Sequence, residues 1–328
     1  MAVATIRLWP NLAKNGFMDY ELNGALTGLR RFDLSCLPAY KAALNQTARL
    51  CGQQYFPYLF FYYGIGSRKD LLFEEVDGSA CLYRIEEGDD GKLYLMLFFL
   101  PFPMQIGVLK KCLERVREFN RHPRVAIYWV GEEDIGGLSP LWEEVRAYPI
   151  FREYIYDPGI YRSLAGKATR NLRRNLEKII VRDDVEVRAF TAADSAACLA
   201  LLDEWAELQK DKYEGIYNRR YTRNCIKYAS FFEARDLFGK VVLIDGEIRS
   251  FGFAGEVHND LASLFIVYSD LTIKGLNQFL NYQLLLDLEA YKYVNSGMAH
   301  TPGLQFAKEA LCPVGTHGMY RVLVNPSA

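Results

Sequence analysis

Two groups of residues in this chain have the types and spacing to do chemistry. The first is a row of cations: Arg162, Lys167, Arg170, Arg173, Arg174 and Lys178 lie within residues 161–178 against one acid, Glu177. On a helix Lys167, Arg170, Arg174 and Lys178 share one face, and Leu164, Ala168, Leu172 and Leu176 share another. The apolar face must dock, which would hold the cations in a fixed row suited to phosphates repeated along an RNA or displayed on lipid heads. The plainer alternative is a solvated face paired to acids elsewhere. The second group lies in the last third: Glu256 at the end of SFGFAGE, Asp270 in the turn SDLTIKG, His300, Lys308 and Tyr320. Such groups can take a proton from an attacking amine, stabilise charge on a carbonyl oxygen or hold a phosphate, and reprotonate a leaving hydroxyl. Glu256 is the first choice, because a carboxylate ending an apolar strand could point into an opening of the sheet. Each has a plainer reading too: a strand end, a loop residue, a solvent-facing helix position, a packed tyrosine.

The elements that must position these groups occur twice. Asp77-Gly78 has its counterpart in Asp245-Gly246 and Gly107 in Gly275, at one common offset, and between these anchors each copy has an apolar strand (KLYLMLFFL or ASLFIVY), a turn and a helix. In the first copy a helix capped by Asp33 or Ser35 is expected in DLSCLPAYKAALNQTARLC, and the aromatic run QYFPYLFFYYG reads as a strand. Strands at 71–76 and 80–86 flank the Asp-Gly hairpin turn. A third strand, at 92–100, stops at Pro101-Phe102-Pro103. A helix with Val108, Leu109, Cys112, Leu113, Val116 and Phe119 on one face, a strand at 124–130 and an exposed connection at 131–140 follow. In the second copy Thr191 and Asp194 form a capping-box start ahead of SAACLALLDEWAEL, with a further helix at 224–233. Hairpin strands at 241–244 and 248–256 lead to the strand ASLFIVY and a helix whose stripe is Leu276, Leu280, Leu284, Leu288 and Tyr291. A short helix at 304–311 and a strand at 319–324 end the chain.

Helix pair, hairpin, then strand-turn-helix-strand is the order of the GNAT acyltransferase fold. The expected class is therefore α/β: two tandem GNAT-like domains, mixed sheets flanked by helices. Residues 1–150 would be a degenerate or acceptor-binding copy, 151–190 a basic helical bridge, and 191–328 the copy that does chemistry. In this fold the sheet splays beside its fourth strand, leaving backbone groups free to hold an extended thioester or ester.

Composition bounds the reading. With 328 residues, half of them hydrophobic, and a net charge of -1, the chain has material for two cores and is not a nucleic-acid-coating protein. Its seven scattered cysteines and four histidines show no metal-ligand spacing, so no metal and no tightly bound cofactor are expected. The start lacks a signal-peptide core, and the longest apolar run, at 93–103, is about half of the ~20 residues that span a bilayer. A cytoplasmic, soluble protein is expected.

The run LAGKATRNLRRNLEK, together with IKGLNQFLN, Asn295 followed by GLQFAKEALCP, and the late Tyr320, resembles the tandem-GNAT family typified by the C-terminal domain of phosphatidylglycerol lysyltransferases. The resemblance implies transfer of an aminoacyl group from aminoacyl-tRNA to an amine or hydroxyl on a lipid or small molecule. It implies tRNA as partner and peripheral contact with a membrane. It places Lys167, Arg170, Arg173 and Arg174, continued by Lys178, on the tRNA- or phosphate-facing surface, with Lys274 and Gly275 opening the helix after the open strand. Lys274, Gly275, Asn277 and Asn295 would bind the donor, and Lys308 matches the lysine ahead of the family's proline. Relatives tend to carry acids between the asparagine and the GL pair, whereas this chain reads SGMAHTP after Asn295, which leaves the amino acid and the acceptor open. A rival donor is acyl-CoA, gripped by a [Q/R]-x-x-G-x-[G/A] turn at a helix start. Thr272-x-x-Gly275-x-Asn277 and Met104-x-x-Gly107-x-Leu109 keep the glycine and lose the flanking positions, which makes CoA the weaker donor. A third possibility is a duplicated binding module without catalysis.

Overall fold

Asp77-Gly78 and Asp245-Gly246 turn with positive φ at both residues, 49° and 80° in one and 53° and 77° in the other. That is the two-residue geometry matching the right-handed twist of paired strands. The computed structural model describes residues 24–65, 67, 69–138, 141, 145–210 and 219–325. The first half runs β1 (Arg30–Arg31), α1 (Leu37–Leu44), β2 (Lys69–Val76), β3 (Ser79–Glu87), β4 (Leu93–Phe99), α2 (Ile106–Asn120), β5 (Val125–Gly131), β6 (Val145–Tyr156). The second runs α3 (Arg170–Ile180), β7 (Val185–Ala189), α4 (Ser195–Leu208), α5 (Arg219–Tyr228), β8 (Phe238–Ile244), β9 (Glu247–His258), β10 (Leu261–Ser269), α6 (Leu276–Asp287), β11 (Tyr293–Met298), α7 (Pro302–Glu309), β12 (Gly315–Val324). Apart from α3, α5 and α7, which the second half adds, the two halves repeat one order, that of a tandem GNAT-like α/β fold.

The chain folds into two units, neither of them continuous in sequence. Unit one takes residues up to Arg49, then Leu59–Phe151 and the residues from Gly318 on; unit two takes Leu50–Tyr58 and Arg152–His317. Strand order in unit one is β1-β2-β3-β4-β5-β12, antiparallel except for β4 beside β5. In unit two it is β6-β11-β10-β9-β8-β7, antiparallel except for β10 beside β11. Each sheet is therefore completed by the last strand of the other half. Unit one buries Val108, Leu109, Cys112, Leu113 and Val116 of α2 against β3, β4 and β5, and unit two buries Leu276, Leu280, Leu284 and Leu288 with Leu172, Leu176 and Ile179 of α3. Asp33 accepts from Ser35 N at 2.8 Å at the turn before α1. Thr191 and Asp194 form the reciprocal capping box that opens the turn into α4.

Several expectations need correction. The aromatic run is helical, an α-turn at Phe56–Leu59 and a π-helical turn at Phe60–Gly64. Tyr55, Phe56, Leu59, Phe60 and Tyr63 are all buried at a spacing of three to four that puts on one helical face what a strand would divide between two, and Phe61 is buried off that face. Within 131–140, Glu132–Ile135 forms a short helix and Leu138 is buried in the core, so the connection is only partly exposed. The helix expected at 224–233 sits earlier, at Arg219–Tyr228. The basic helix begins only at Arg170, after turns in which Leu164 and Gly166 take positive φ. β6 was not anticipated.

Candidate active site

β10 and β11 run parallel and pair at Leu261↔Tyr293, Ala262↔Val294 and Ser263↔Asn295. β10 continues to Ser269, still paired to β9 at Ser269↔Ser250, while no described residue of β11 pairs with it beyond Ser263. Two irregularities part the strands. β11 bulges between Asn295 and Met298 against β6, with Gly297 at φ 74°, and β10 bulges between Leu264 and Ile266, with Phe265 as the extra residue. Bulges of this kind bend a strand and re-aim a side chain. Phe265 meets the rings of Tyr55, Tyr58 and Tyr221 at 5.3, 6.1 and 5.7 Å. Past Ser263 the side of β10 that faces β11 has no β11 partner among the described residues, the kind of strand edge along which an extended ligand can lie. In unit one the corresponding parallel pair stays together through Phe99↔Trp129, at the end of β4.

Ser296 is the first residue past the last β10–β11 pair, and Lys308 of α7 reaches it. The Lys308 ammonium donates to Ser296 O, and to Ser296 Oγ at 2.9 Å. Tyr156 OH donates to Lys308 O at 3.0 Å, fixing the helix from β6. α7 is placed by Thr301, whose side chain accepts from Leu304 N, and by Pro302 in its first turn. Burial pushes the Lys308 ammonium down to about 7, and the charge of Glu153 opposes that shift only in part. The side chain is thus divided between ammonium and amine near neutral pH.

Behind Ser296 lies a buried polar cluster. Asn295 is fully buried; its amide donates to Leu50 O at 2.7 Å and to Glu153 Oε2 at 2.8 Å, and its Oδ1 accepts from Gly297 N at 2.6 Å, bracing the bulge. Glu153, also fully buried, accepts from Gly52 N at 2.9 Å and Gln53 Nε2 at 3.0 Å, and lies 3.3 Å from His317 Nδ1. A Cβ on Gly52 would come within 2.6 Å of Asn295, so only glycine fits there. Sequence reasoning missed Glu153, Gln53 and His317. The available signal is the alternation in REYIY, which follows Pro149 closely.

The other expected site residues are dispersed. Glu256 lies beside Ala262, within the part of β10 still paired on both sides rather than at the opening. Its carboxylate is held by Arg235 at 2.5 Å and by Tyr291 OH at 3.0 Å, and the same charge helps burial push the Tyr291 hydroxyl up to about 12. Asp270 caps its own turn, accepting from Thr272 N and Oγ1 at 2.9 and 2.6 Å. His300 is exposed in the loop before α7, its imidazole held below the ordinary value by partial desolvation and the Lys308 charge. Tyr320 belongs to unit one, packed against that unit's core.

On the donor side, Lys274 is exposed and Gly275 caps α6 at φ 93°. A Cβ there would lie 2.5 Å from Asn175 O, so α3 crosses closely over the start of α6. Asn277 accepts from Asn281 Nδ2. Lys167 in the turns before α3, and Arg170, Arg174 and Lys178 on it, are exposed, and none has an acidic partner among the described residues. Arg173 instead turns back, its guanidinium donating to Leu164 O, Gly166 O and Thr169 Oγ1, which locks the preceding turns. Among the described residues one trio could hold a metal, Glu74 with Cys81 and Cys112 in unit one. Glu74 there already accepts from Tyr83 OH at 2.7 Å and Arg115 at 3.1 Å. No helix among the described residues is long and apolar enough to cross a membrane.

The family model described as phosphatidylglycerol lysyltransferase, C-terminal, matches residues 62–325. No curated protein matches the chain. Among solved structures, a conserved protein of unknown function from Bacteroides thetaiotaomicron superposes with a TM-score of 0.76 at 20% identity, over 90% of this chain and 99% of that one. L-PGS from Bacillus licheniformis gives 0.61 at 18% identity, over 90% and 93%. FemX gives 0.60 at 9% identity, over 88% and 96%. These likenesses show the fold.

Proposed function

Because this chain belongs to the family of the phosphatidylglycerol lysyltransferase C-terminal domain, a family of transferases, we propose that unit two moves an aminoacyl group from aminoacyl-tRNA to an amine or hydroxyl acceptor. The observation that carries this reading is the Lys308 ammonium, seated on the first residue past the parting of β10 and β11. The aminoacyl ester would lie along β10 past Ser263, where β11 no longer pairs with it. The acceptor's nitrogen or oxygen attacks the ester carbonyl; a C–N or C–O bond forms, the bond to the terminal ribose oxygen breaks, and the proton that the acceptor gives up is balanced by the one the ribose oxygen takes up. Charge builds on the carbonyl oxygen during this step, and a desolvated ammonium stabilises it more strongly than a solvated one. A lysine near pKa 7 can also give its proton to the leaving ribose. Glu256, fixed in its ion pair with Arg235, takes no part in this scheme.

Two features support RNA over CoA as the donor's carrier. Lys167, Arg170, Arg174 and Lys178 form an exposed cationic face without acidic partners among the described residues. The start of α6, where a CoA enzyme would seat pyrophosphate, has the Asn175 carbonyl against Gly275. The same reading makes unit one, whose parallel strands stay paired, the copy without chemistry. Binding of charged tRNA tests the assignment. Affinity should fall steeply with salt, and changing Lys167, Arg170 and Arg174 together to Gln should lower the log–log slope by about 2 to 3. A slope unchanged by the triple substitution, or thermal stabilisation by CoA thioesters alone, overturns it.

A further inference from the structure

We propose that unit one carries a binding site of its own for a small oxyanion of the phosphate-ester type, built on Tyr128 and Trp129. β5 bulges here: β12 pairs at Tyr320↔Val130 and Val322↔Ile127, so Tyr128 and Trp129 together oppose the single residue Arg321. A bulge of two residues against one turns neighbouring side chains toward the same face, and the two rings meet edge to face at 4.6 Å. Two guanidiniums gather on this pair. Arg84 lies 4.4 Å over the Tyr128 ring and Arg321 4.8 Å over it.

Charge and hydrogen bonding there are left incomplete. Arg84 is 4% exposed and Trp129 9%, and neither Arg84 Nε nor Trp129 Nε1 has a hydrogen-bond partner among the described residues. Both are donors only, so whatever satisfies them must accept. Arg84 pairs with Glu86, which also takes Lys69 at 3.1 Å. Arg321 is exposed and has no acidic partner among the described residues. Arg84 shares Glu86 with Lys69, so the two guanidiniums on Tyr128 are not balanced by that one carboxylate. Two orphaned buried donors, and a guanidinium held over the Tyr128 ring without an acidic partner among the described residues, call for an anion with several acceptor oxygens, and a phosphate ester presents them in different directions. The site lies wholly in unit one and does not depend on the transfer chemistry of unit two.

Methyl phosphate is the probe, titrated into the full chain by calorimetry, with cosedimentation on phosphatidylcholine vesicles with and without phosphatidic acid as a second arm. Trp129→Phe removes one donor and keeps the ring, and Arg321→Gln alters only an exposed side chain, so both leave a folded protein to test. Saturable one-to-one binding, weakened about tenfold or more by each substitution, is expected from losing a charge-assisted hydrogen bond. If only the vesicle arm shows dependence on Trp129 and Arg321, the oxyanion is a lipid headgroup; if the methyl phosphate arm shows it, the ligand is a free phosphate ester. Absence of saturable binding in both arms, or binding that both variants leave within about twofold, overturns the proposal.

Discussion

Replacing Lys308 by Met gives the sharpest test of how the site is built. Burial brings the ammonium to about 7 from 10.5, and at about 1.36 kcal/mol per unit the folded state carries a protonation cost of about 5 kcal/mol below pH 7. Because the folded value is the lower one, the unfolded chain binds more protons between pH 7 and 10.5, and the stability of the wild type rises with pH across that window. Methionine does not titrate. It removes the cost, and it also strips Ser296 O and Oγ of their donor, a loss of about 1–3 kcal/mol. The variant should therefore be more stable than wild type by about 2–4 kcal/mol at pH 6, and this advantage should shrink by about 2–3 kcal/mol by pH 9. Urea titrations at pH 6, 7, 8 and 9, read by hydrogen exchange at β11 amides, measure the difference within unit two. A gap that stays constant with pH means the lysine is not depressed, and its proposed role fails with it.

Three further outcomes follow from the same geometry. If the Lys308 ammonium stabilises the transition state, kcat should fall as pH rises through about 7, and Lys308→Arg should retain part of the activity while losing that limb; an unchanged profile in the arginine variant contradicts the role. Gly275→Ala places a Cβ 2.5 Å from Asn175 O at φ 93° and should cost about 2 kcal/mol or more in thermal or urea unfolding. Asp194, held at about 2 by Arg188 and Thr191, stabilises the fold above its unfolded value and loses that contribution as pH falls toward 2. Asp194→Ala should therefore cost about 2 kcal/mol at neutral pH, and the gap to wild type should close in acid.

What could be read from the sequence was local. The paired Asp-Gly turns, the Thr191–Asp194 cap and the leucine stripe of α6 each follow from a few adjacent residues, and the structure contains all three. Element order then led to a tandem fold. The aromatic segment at 55–64 misled because consecutive Phe and Tyr residues satisfy strand preference while concealing a helical spacing. β6 was invisible because Pro149 and its charged neighbours argue against a strand, and its partner, β11, lies in the other half of the chain. That exchange also explains why Tyr320 seemed to belong with Lys308: nearness in sequence placed them in one half, yet β12 completes unit one. Lys308 was found by type and resemblance, whereas Glu153 matters through its burial and its ties to Asn295 and Gln53, which no single segment encodes. Arg173 shows the reverse, a cation grouped with its neighbours by spacing that spends its donors on the loop before it.

The most direct test of the account is transfer itself. The full chain is incubated with a pool of tRNAs carrying labelled amino acids, or with labelled acyl-CoA thioesters, alongside amine and hydroxyl acceptors both free and displayed on vesicles. Label should leave tRNA for an acceptor, and Lys308→Ala should slow this by about a hundredfold or more, the scale of losing one oxyanion-stabilising group. Label that stays on every tRNA while it moves from a CoA thioester contradicts the account.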